Sequence, residues 1–181
     1  MINQSAMHKT TTSRRSWSDT EFEAVFCAHW ERVYRLALHL TGCQDDAEDL
    51  SLETFWRLWS QPPEKIDNPV GWLLRVAANL GYNALRSARR RNQYEQQAGI
   101  QYWENAQSEN PDQAAVAAAN RLRVRQALAK LPAQQAHLLA LRYSGASYQE
   151  IAQALNLSPA SVGKLLNRAE KQFCQVYGQG E

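Results

Sequence analysis

Five carboxylates lie close together in a stretch from Leu36 to Trp56 that contains no Lys or Arg. They are Asp45, Asp46, Glu48, Asp49 and Glu53. On a helix, Asp49 and Glu53 would share one face because they are four positions apart. Such a cluster could bind a metal ion, form a solvated face near a helix N-terminus, or bind another protein. The predicted helix contains no His, and His39 lies in the preceding one, but spacing alone leaves these alternatives open.

An arginine cluster follows in the stretch from Asn68 to Tyr94, which contains no acidic residue. The cluster is Arg86, Arg89, Arg90 and Arg91, and it ends a predicted helix that also carries Trp72, Asn79, Tyr82 and Asn83. Guanidinium groups bind phosphates, while aromatic and amide side chains can stack on unpaired bases or hydrogen-bond to them. The alternative is that these cations only complement the helix dipole, at under about 1 kcal/mol each.

Residues 149–165 have the pattern of two short helices packed across a tight turn. The apolar positions that would join them are Ile151, Ala152, Leu155, Leu157, Val162 and Leu165. Asn156 falls where the turn needs left-handed backbone, which Asn tolerates. This pattern is typical of a helix-turn-helix, whose second helix enters the major groove of duplex DNA. The positions predicted to be exposed there are Ser158, Pro159, Ala160, Ser161, Gly163, Lys164, Asn167 and Arg168.

The alternative for this segment is an ordinary hairpin of two helices. Residues 112–181 contain 8 Lys/Arg against 4 Asp/Glu, whereas residues 1–111 contain 12 against 14. Both short helices also have capping residues. Together with the basic charge of this half, these caps favour DNA binding over an ordinary hairpin. A DNA-binding motif in the same chain also favours nucleic acid as the ligand of the arginine cluster.

The elements that position these residues are predicted to be helices. Ser18 and Glu21 form a capping box before an apolar helical stripe, and Gly42 ends that stripe. The acidic helix follows and stops at Pro62. Asn68, followed by Pro at the first helical position, begins the basic helix.

The C-terminal half is also predicted to be helical. Pro132 separates two helices, and Ser147 and Ser158 begin the last two. We therefore predict an all-α fold of two small helical domains joined by a flexible linker, with the helix-turn-helix in the second. The predicted segments are a disordered N-terminus at 1–18, a first domain at 19–95, a linker at 96–113, a second domain at 114–177 and a tail at 178–181.

Composition excludes several classes of protein. No run of about eighteen apolar residues and no apolar leader is present, so we expect a cytoplasmic protein without membrane insertion. Cys27, Cys43 and Cys174 form no CxxC pair, and we expect them to be small, buried or half-buried side chains. Most of the six tryptophans should lie in the core. Phosphate-binding glycine loops, HExxH patterns and nucleophile elbows are missing, so we expect no enzyme activity, cofactor, metal or small-molecule substrate.

Several motifs together carry a family resemblance. Residues 34–42, 46–50, 53–59, 72–79 and 86–91 resemble the second conserved region of bacterial RNA polymerase sigma factors. Residues 127–132, 148–152 and 157–162 resemble their fourth region. The chain is similar, from about residue 22 to residue 173, to the extracytoplasmic-function group of the sigma-70 family, which keeps only these two regions.

The resemblance implies roles that spacing did not determine. The acidic helix, with Asp46, Glu48, Asp49 and Glu53, would bind the clamp coiled coil of the largest polymerase subunit. The basic helix and the loop before it would open the downstream promoter element, with Trp72, Asn79, Asn83, Arg86, Arg89, Arg90 and Arg91 on single-stranded DNA. The helix-turn-helix would read the upstream element as duplex, through Ser158, Pro159, Ala160, Ser161, Lys164, Asn167 and Arg168. An anti-sigma factor is a further partner common in this group.

This chain departs from the family pattern at three places. Leu52 replaces the usual Gln before Glu53, and Asn83 stands where Asp is usual. In the second helix of the helix-turn-helix, Gly163, Lys164 and Leu165 follow Val162, which removes an arginine. The upstream sequence preference therefore cannot be inferred from the family.

Two other classes of protein fit parts of the sequence. A stand-alone helix-turn-helix regulator would bind duplex DNA without polymerase and would usually form a dimer. A helical enzyme with a carboxylate metal site would contain bound metal when purified.

Overall fold

The protein is built entirely of helices in the part of the chain that the computed structural model describes, residues 17–60, 68–97 and 111–179. The helices are α1 (Asp19–Thr41), α2 (Gln44–Ser60), α3 (Pro69–Gln97), α4 (Pro111–Lys130), α5 (Ala133–Tyr143), α6 (Tyr148–Leu155) and α7 (Pro159–Gly178). The all-α prediction is confirmed. None of these helices is long and apolar enough to cross a bilayer.

Local signals determine where the N-terminal helices begin and end. The Ser18 hydroxyl accepts a hydrogen bond from the Glu21 amide, and the Glu21 carboxylate accepts one from the Ser18 amide, as in a capping box. Gly42 ends α1 with φ 73°, a left-handed conformation that suits glycine. Asn68 Oδ1 accepts from the Val70 amide at 3.0 Å and so caps α3.

The helix-turn-helix forms at the predicted place. Ser147 and Glu150 make a second capping box at the start of α6. Asn156 adopts φ 54° and ψ 50°, so the turn has the predicted left-handed residue. Ser158 is the N-cap residue of α7, although its side chain makes no capping hydrogen bond, and Pro159 follows at the first turn.

The N-terminal core lies between α1, α2 and α3. Leu36, Phe55 and Leu73 are almost completely buried there. Phe22, Phe26 and Trp30 pack around the Phe55 ring, with ring centroids 4.7 to 6.4 Å from it. Aromatic contacts of this kind add specific geometry to apolar burial.

The C-terminal core lies between α5, α6 and α7. It is built around Leu138, Leu141, Ile151 and Val162, all nearly inaccessible to solvent. Ala152 is 2% exposed. Its small side chain lets the two helices of the motif approach each other closely.

The two halves of the chain are packed together, which the sequence did not predict. Helix α3 contacts α4, α5 and α6 as well as α1 and α2, and the buried residues of both halves form one continuous cluster. The linker bounds also differ, because α3 continues to Gln97 and α4 begins at Pro111. The remaining part of the linker, and residues 1–16 of the predicted N-terminal segment, lie outside the described residues.

Burial corrects two further expectations. Cys27, Cys43 and Cys174 are all exposed, because they lie on the outer faces of α1 and α7 and at the junction after Gly42. Trp56 is 61% exposed on α2. The type of a residue alone does not determine its burial, which depends on the face of the helix that packs against a neighbour.

Helices α1 and α3 come close together at Gly81. A Cβ atom at this position would lie 2.5 Å from Leu40 Cδ1 and 3.0 Å from Leu40 Cβ. Leu40 is itself buried, so its side chain has little room to move. Glycine at position 81 therefore permits the approach of the two helices.

We predict that Gly81→Ala destabilises the protein although alanine is the better helix former. Overpacking costs about 1–3 kcal/mol and helix propensity returns up to about 1 kcal/mol, so a net loss of up to about 2 kcal/mol is expected. Urea unfolding measures the change. Gly178→Ala is the control, because a Cβ there would meet nothing within 4 Å. A Gly81→Ala variant as stable as the parent would contradict this account.

Candidate functional site

The acidic surface lies on the outer side of α2. Its four predicted polymerase-binding residues, Asp46, Glu48, Asp49 and Glu53, are all exposed. Ser51, Thr54 and Leu58 are buried on the opposite side, so helical periodicity holds the carboxylates outward. No group of three or more metal-ligating side chains occurs among the residues that the structure describes.

Two apolar residues lie on the same outward surface as the carboxylates. Leu52 is 47% exposed and Trp56 is 61% exposed, one helical turn apart. Glu53 is paired with Arg57, whose Nε lies 2.7 Å from Glu53 Oε1. Sequence reasoning missed this apolar pair because it assigned most tryptophans to the core. Helical periodicity could have identified this pair, because Leu52 and Trp56 fall outside the stripe of apolar residues that is buried on α2.

The basic surface lies along α3. Five of its predicted residues are exposed, namely Asn79, Asn83, Arg86, Arg90 and Arg91. Trp72 is half-buried and packs against the core, so part of its ring remains accessible. Arg89 is also half-buried and donates a hydrogen bond from Nη1 to the Ala129 carbonyl at 3.3 Å. In this arrangement one of the five N–H donors of Arg89 binds the C-terminal half.

The surface of the helix-turn-helix is formed as predicted. Seven predicted residues are exposed, namely Ser158, Pro159, Ala160, Ser161, Lys164, Asn167 and Arg168. Gly163 is partly buried, because a Cβ there would lie 3.4 Å from the Tyr148 ring. The Arg142 guanidinium lies 5.4 Å from the centroid of the same ring. The first turns of α7 thus present small polar and basic groups to solvent.

Polar contacts join the two halves beside these surfaces. Arg32 of α1 forms an ion pair with Glu150 of α6 at 2.8 Å. The Asn68 amide donates to Gln153 Oε1. The Tyr82 hydroxyl donates to the Leu131 carbonyl at 2.7 Å, and both groups are buried.

Glu150 and His137 are ionisable groups at this junction whose pKa values are lowered. The hydrogen bond from Arg32 is the largest cause that lowers the pKa of Glu150 to about 2, and the capping hydrogen bonds from Ser147 act in the same direction. Burial lowers the pKa of His137, whose ring packs edge-on against Tyr82 with centroids 5.2 Å apart. The sequence predicted Glu150 only as the capping residue of Ser147 and did not predict either pKa shift, because the ion pair with Arg32 and the burial of His137 depend on tertiary packing.

An open cavity of about 270 Å³ lies where the two halves meet. Arg75 and Asn79 of α3 line one side, and His137, Ala154 and Asn156 line the other. Asn79, a predicted DNA-binding residue, therefore lies at the contact between the two halves.

Family models match two parts of this chain. Residues 26–91 match sigma-70 region 2, which covers the acidic and basic helices. Residues 121–173 match sigma-70 region 4, which covers the helix-turn-helix.

Two relatives show the same similarity over most of this chain. The chain is 32% identical over 152 residues to the ECF RNA polymerase sigma factor SigE of Mycolicibacterium smegmatis, covering 80% of this chain and 57% of that protein. It is 35% identical over 153 residues to the ECF RNA polymerase sigma factor SigL of Mycobacterium tuberculosis, covering 81% and 82%. The chain thus spans little more than half the length of the first relative.

Two solved structures share the fold. The sigma factor RpoE of Bartonella quintana, in complex with the anti-sigma factor NepR, has a TM-score of 0.53 at 21% identity, covering 87% of this chain and 96% of that chain. CnrH, in complex with the cytosolic domain of CnrY, has a TM-score of 0.57 at 18% identity, covering 91% and 92%. The chain therefore belongs to the sigma-70 family and, within it, to the extracytoplasmic-function group of RNA polymerase sigma factors.

We predict an acid-dependent loss of stability from the ion pair between Arg32 and Glu150. Because the pKa of Glu150 is lowered from 4.5 to about 2, its contribution is complete above pH 4.5 and is lost as the pH falls toward 2. The parent should lose more stability than Arg32→Gln between pH 5.5 and 3. Both side chains are partly exposed, so the difference should be no more than about 1 kcal/mol.

Thermal unfolding of both proteins across this pH range measures the difference. The Arg35→Gln variant is the control, because Arg35 forms a longer ion pair, at 3.7 Å, with the exposed Glu31. Identical pH profiles for the parent and Arg32→Gln would show that the ion pair does not contribute.

Proposed function

We propose that this protein binds core RNA polymerase, directs it to a class of promoters and helps to open the DNA at the start region. The observation that carries the proposal is the separation of three exposed surfaces on three elements of a sigma-70 chain. Carboxylates lie on α2, arginines and amides on α3, and small polar and basic groups on α7. The α2 surface thus suits a basic protein, the α3 surface suits an open DNA strand, and the α7 surface suits duplex DNA.

The acidic surface of α2 is the proposed contact with polymerase. Its carboxylates would complement a basic partner, and the family resemblance implies that this partner is the clamp coiled coil of the largest subunit. The exposed Trp56 and Leu52 lie beside the carboxylates. Aromatic side chains at the centre of an interface often carry much of the binding energy, whereas surrounding charges guide association.

The basic surface of α3 is the proposed contact with the opened downstream element. Asn79 and Asn83 are four positions apart, so they present two amides from adjoining turns of one helix face. Arg86 and Arg90 extend the same face with positive charge. Amides can bind the edges of unpaired bases while guanidinium groups bind the backbone.

Helix α7 is the proposed contact with the upstream element. Lys164 and Arg168 are exposed one turn apart, as a helix in the major groove requires. Gly163, in place of a longer side chain, alters the groove-facing surface. This chain should therefore prefer an upstream sequence of its own.

The proposed function assigns no bond-breaking step to this chain. RNA synthesis belongs to the polymerase, and the chain acts by binding, so we propose that it is not an enzyme. It would act in the cytoplasm, where polymerase and promoter DNA are found. Because the two solved neighbours were obtained as complexes, one explicitly with an anti-sigma factor, we propose that such a partner also regulates this chain.

Reversing the charge of the acidic surface should weaken binding to core polymerase. The Asp49→Arg and Glu53→Arg double variant should lose affinity by about tenfold or more, because like charges would then face each other at the interface. Affinity is measured by titrating labelled protein with purified core polymerase. The matched control is Asp19→Arg with Glu23→Arg, which reverses two exposed acids four positions apart on α1. Equal affinities of the two double variants would disprove the assignment.

The two DNA surfaces should respond differently to a template that is already open. Replacing Lys164 and Arg168 by Ala should reduce abortive transcription from duplex DNA, at about 1–3 kcal/mol for each direct base contact. Asn79→Ala with Asn83→Ala should also reduce it. An artificial downstream bubble should rescue only the asparagine variant, because it supplies the unstacking energy of a few kcal/mol.

The control is Lys130→Ala, an exposed cation outside the proposed surfaces. This variant should transcribe as well as the parent on both templates. Rescue of the Lys164 and Arg168 variant, without rescue of the asparagine variant, would reverse the two assignments.

A further inference from the structure

Tyr94 is an exposed aromatic residue that follows the arginine cluster on α3. Its side chain is 72% exposed, more than that of any other large apolar residue in the part of the chain that the structure describes. A single exposed aromatic ring is ordinary on a protein surface, so its meaning depends on the groups beside it.

The position of Tyr94 on the helix aligns it with the residues proposed to hold the opened strand. Asn79, Asn83, Arg86, Arg90 and Tyr94 follow one another at intervals of four, three, four and four positions, and all five are exposed. At 3.6 residues per turn they fall within about 80° around the helix axis. They form one stripe, the strand stripe, which is about 22 Å long at 1.5 Å per residue.

The same geometry separates the arginines of the cluster from one another. Arg91 follows Arg90 directly, so it is turned about 100° away around the helix axis. Arg89 is turned about 100° to the other side, where it donates to the Ala129 carbonyl. Only Arg86 and Arg90 of the four clustered arginines therefore share a face with Tyr94.

These two arginines are positioned by neighbouring side chains. The guanidinium carbon of Arg86 lies 5.9 Å from the centroid of the Tyr82 ring, within the range of a cation–π contact. Arg90 donates from Nη2 to the Ser87 hydroxyl at 3.3 Å. A guanidinium group has five N–H donors, so both arginines retain donors for a phosphate beside Tyr94.

From this alignment we infer that Tyr94 is a stacking platform: its ring receives an unpaired base of the opened strand whose phosphates are bound by Arg86 and Arg90. Sites for single-stranded DNA combine a positively charged track with aromatic side chains on which bases stack. The inference rests on the proposed role of α3. It adds a residue that lies beyond the match to sigma-70 region 2, which ends at residue 91.

The two ends of the strand stripe act differently on DNA. Asn79 and Asn83 offer amides that can bind the edges of bases and so distinguish one base from another. Stacking on Tyr94 uses only the face of a base, which every base has. Tyr94 should therefore strengthen binding to opened DNA without selecting its sequence.

Binding of the complex of this chain and core polymerase to a preformed bubble tests the inference. The DNA fragment carries the bubble and ends before the upstream element, so that α7 does not contribute. Tyr94→Leu should weaken binding by at least about fivefold, because leucine is a good helix former but cannot stack on a base. Tyr94→Phe should bind as the parent does, because the ring is retained.

The matched control is Tyr143→Leu, which removes a ring that is 70% exposed on α5, away from the strand stripe. It should bind the bubble as the parent does. Equal affinities of Tyr94→Leu and Tyr143→Leu would overturn the inference. A loss in Tyr94→Phe as large as that in Tyr94→Leu would also overturn it, because the hydroxyl and not the ring would then make the contact.

Abasic sites identify the stacked base. Bases of the bubble are removed one at a time, and at one position the parent should lose about as much affinity as Tyr94→Leu does. Tyr94→Leu should lose nothing further there, because contacting groups are not additive. Exchanging that base for any other should have little effect on the parent. If the losses multiply at every position, ring and base do not touch and the inference is wrong.

Salt dependence distinguishes stacking from a merely structural role at the end of α3. Arg90→Gln should reduce the slope of log affinity against log salt by about 0.7 for a lost contact with a single strand, and Arg91→Gln should leave it unchanged. Tyr94→Leu should lower affinity at every salt concentration without changing the slope. A slope reduced as in Arg90→Gln would show that Tyr94 only positions the arginines, and would refute the stacking role.

The bubble also separates this inference from the proposed function. If the parent complex binds the bubble no more tightly than the matching duplex, the proposed role of α3 is wrong and the inference fails with it. If the parent prefers the bubble and Tyr94→Leu keeps the full preference, only the inference is wrong.

Discussion

Helix α3 is buried from two sides by different partners, and the arrangement of the whole chain depends on this double packing. On one side Gly81 lets Leu40 of α1 approach closely, and on the other the buried Tyr82 hydroxyl binds the Leu131 carbonyl. These neighbouring residues join the N-terminal and C-terminal cores. A buried hydroxyl and carbonyl stabilise that junction only while they remain paired, because either group alone would lose its hydrogen bond without regaining water.

The double packing explains why the functional surfaces differ in accessibility. Helix α2 packs through Thr54, Phe55 and Leu58, so its carboxylates face solvent. Helix α7 packs through Val162 and Leu166, which leaves its first turns exposed. On α3 the proposed DNA-binding residues Asn79, Asn83, Arg86, Arg90 and Arg91 are exposed, whereas Arg89 is half-buried against α4.

Charge strengthens the division of labour between the surfaces. Acids on α2 and arginines on α3 occupy separate helices, so the two surfaces differ in the sign of their predominant charge. The ion pair between Arg32 and Glu150 instead joins opposite charges across the two halves. Its contribution is modest because both groups are partly exposed.

The sequence by itself determined the helices, the caps at Ser18, Asn68 and Ser147, the left-handed turn at Asn156 and the outward positions on α2 and α7. These features depend on residues a few positions apart, so local hydrogen bonding and helical periodicity are sufficient to predict them. Tertiary structure decided the exposure of Trp56 and the cysteines, the hydrogen bond from Arg89 to the Ala129 carbonyl, and the packing of the C-terminal half against α3. Burial and long-range pairing depend on which helix faces meet, and residues 40 to 85 positions apart in the sequence form these contacts. No local pattern contains that information.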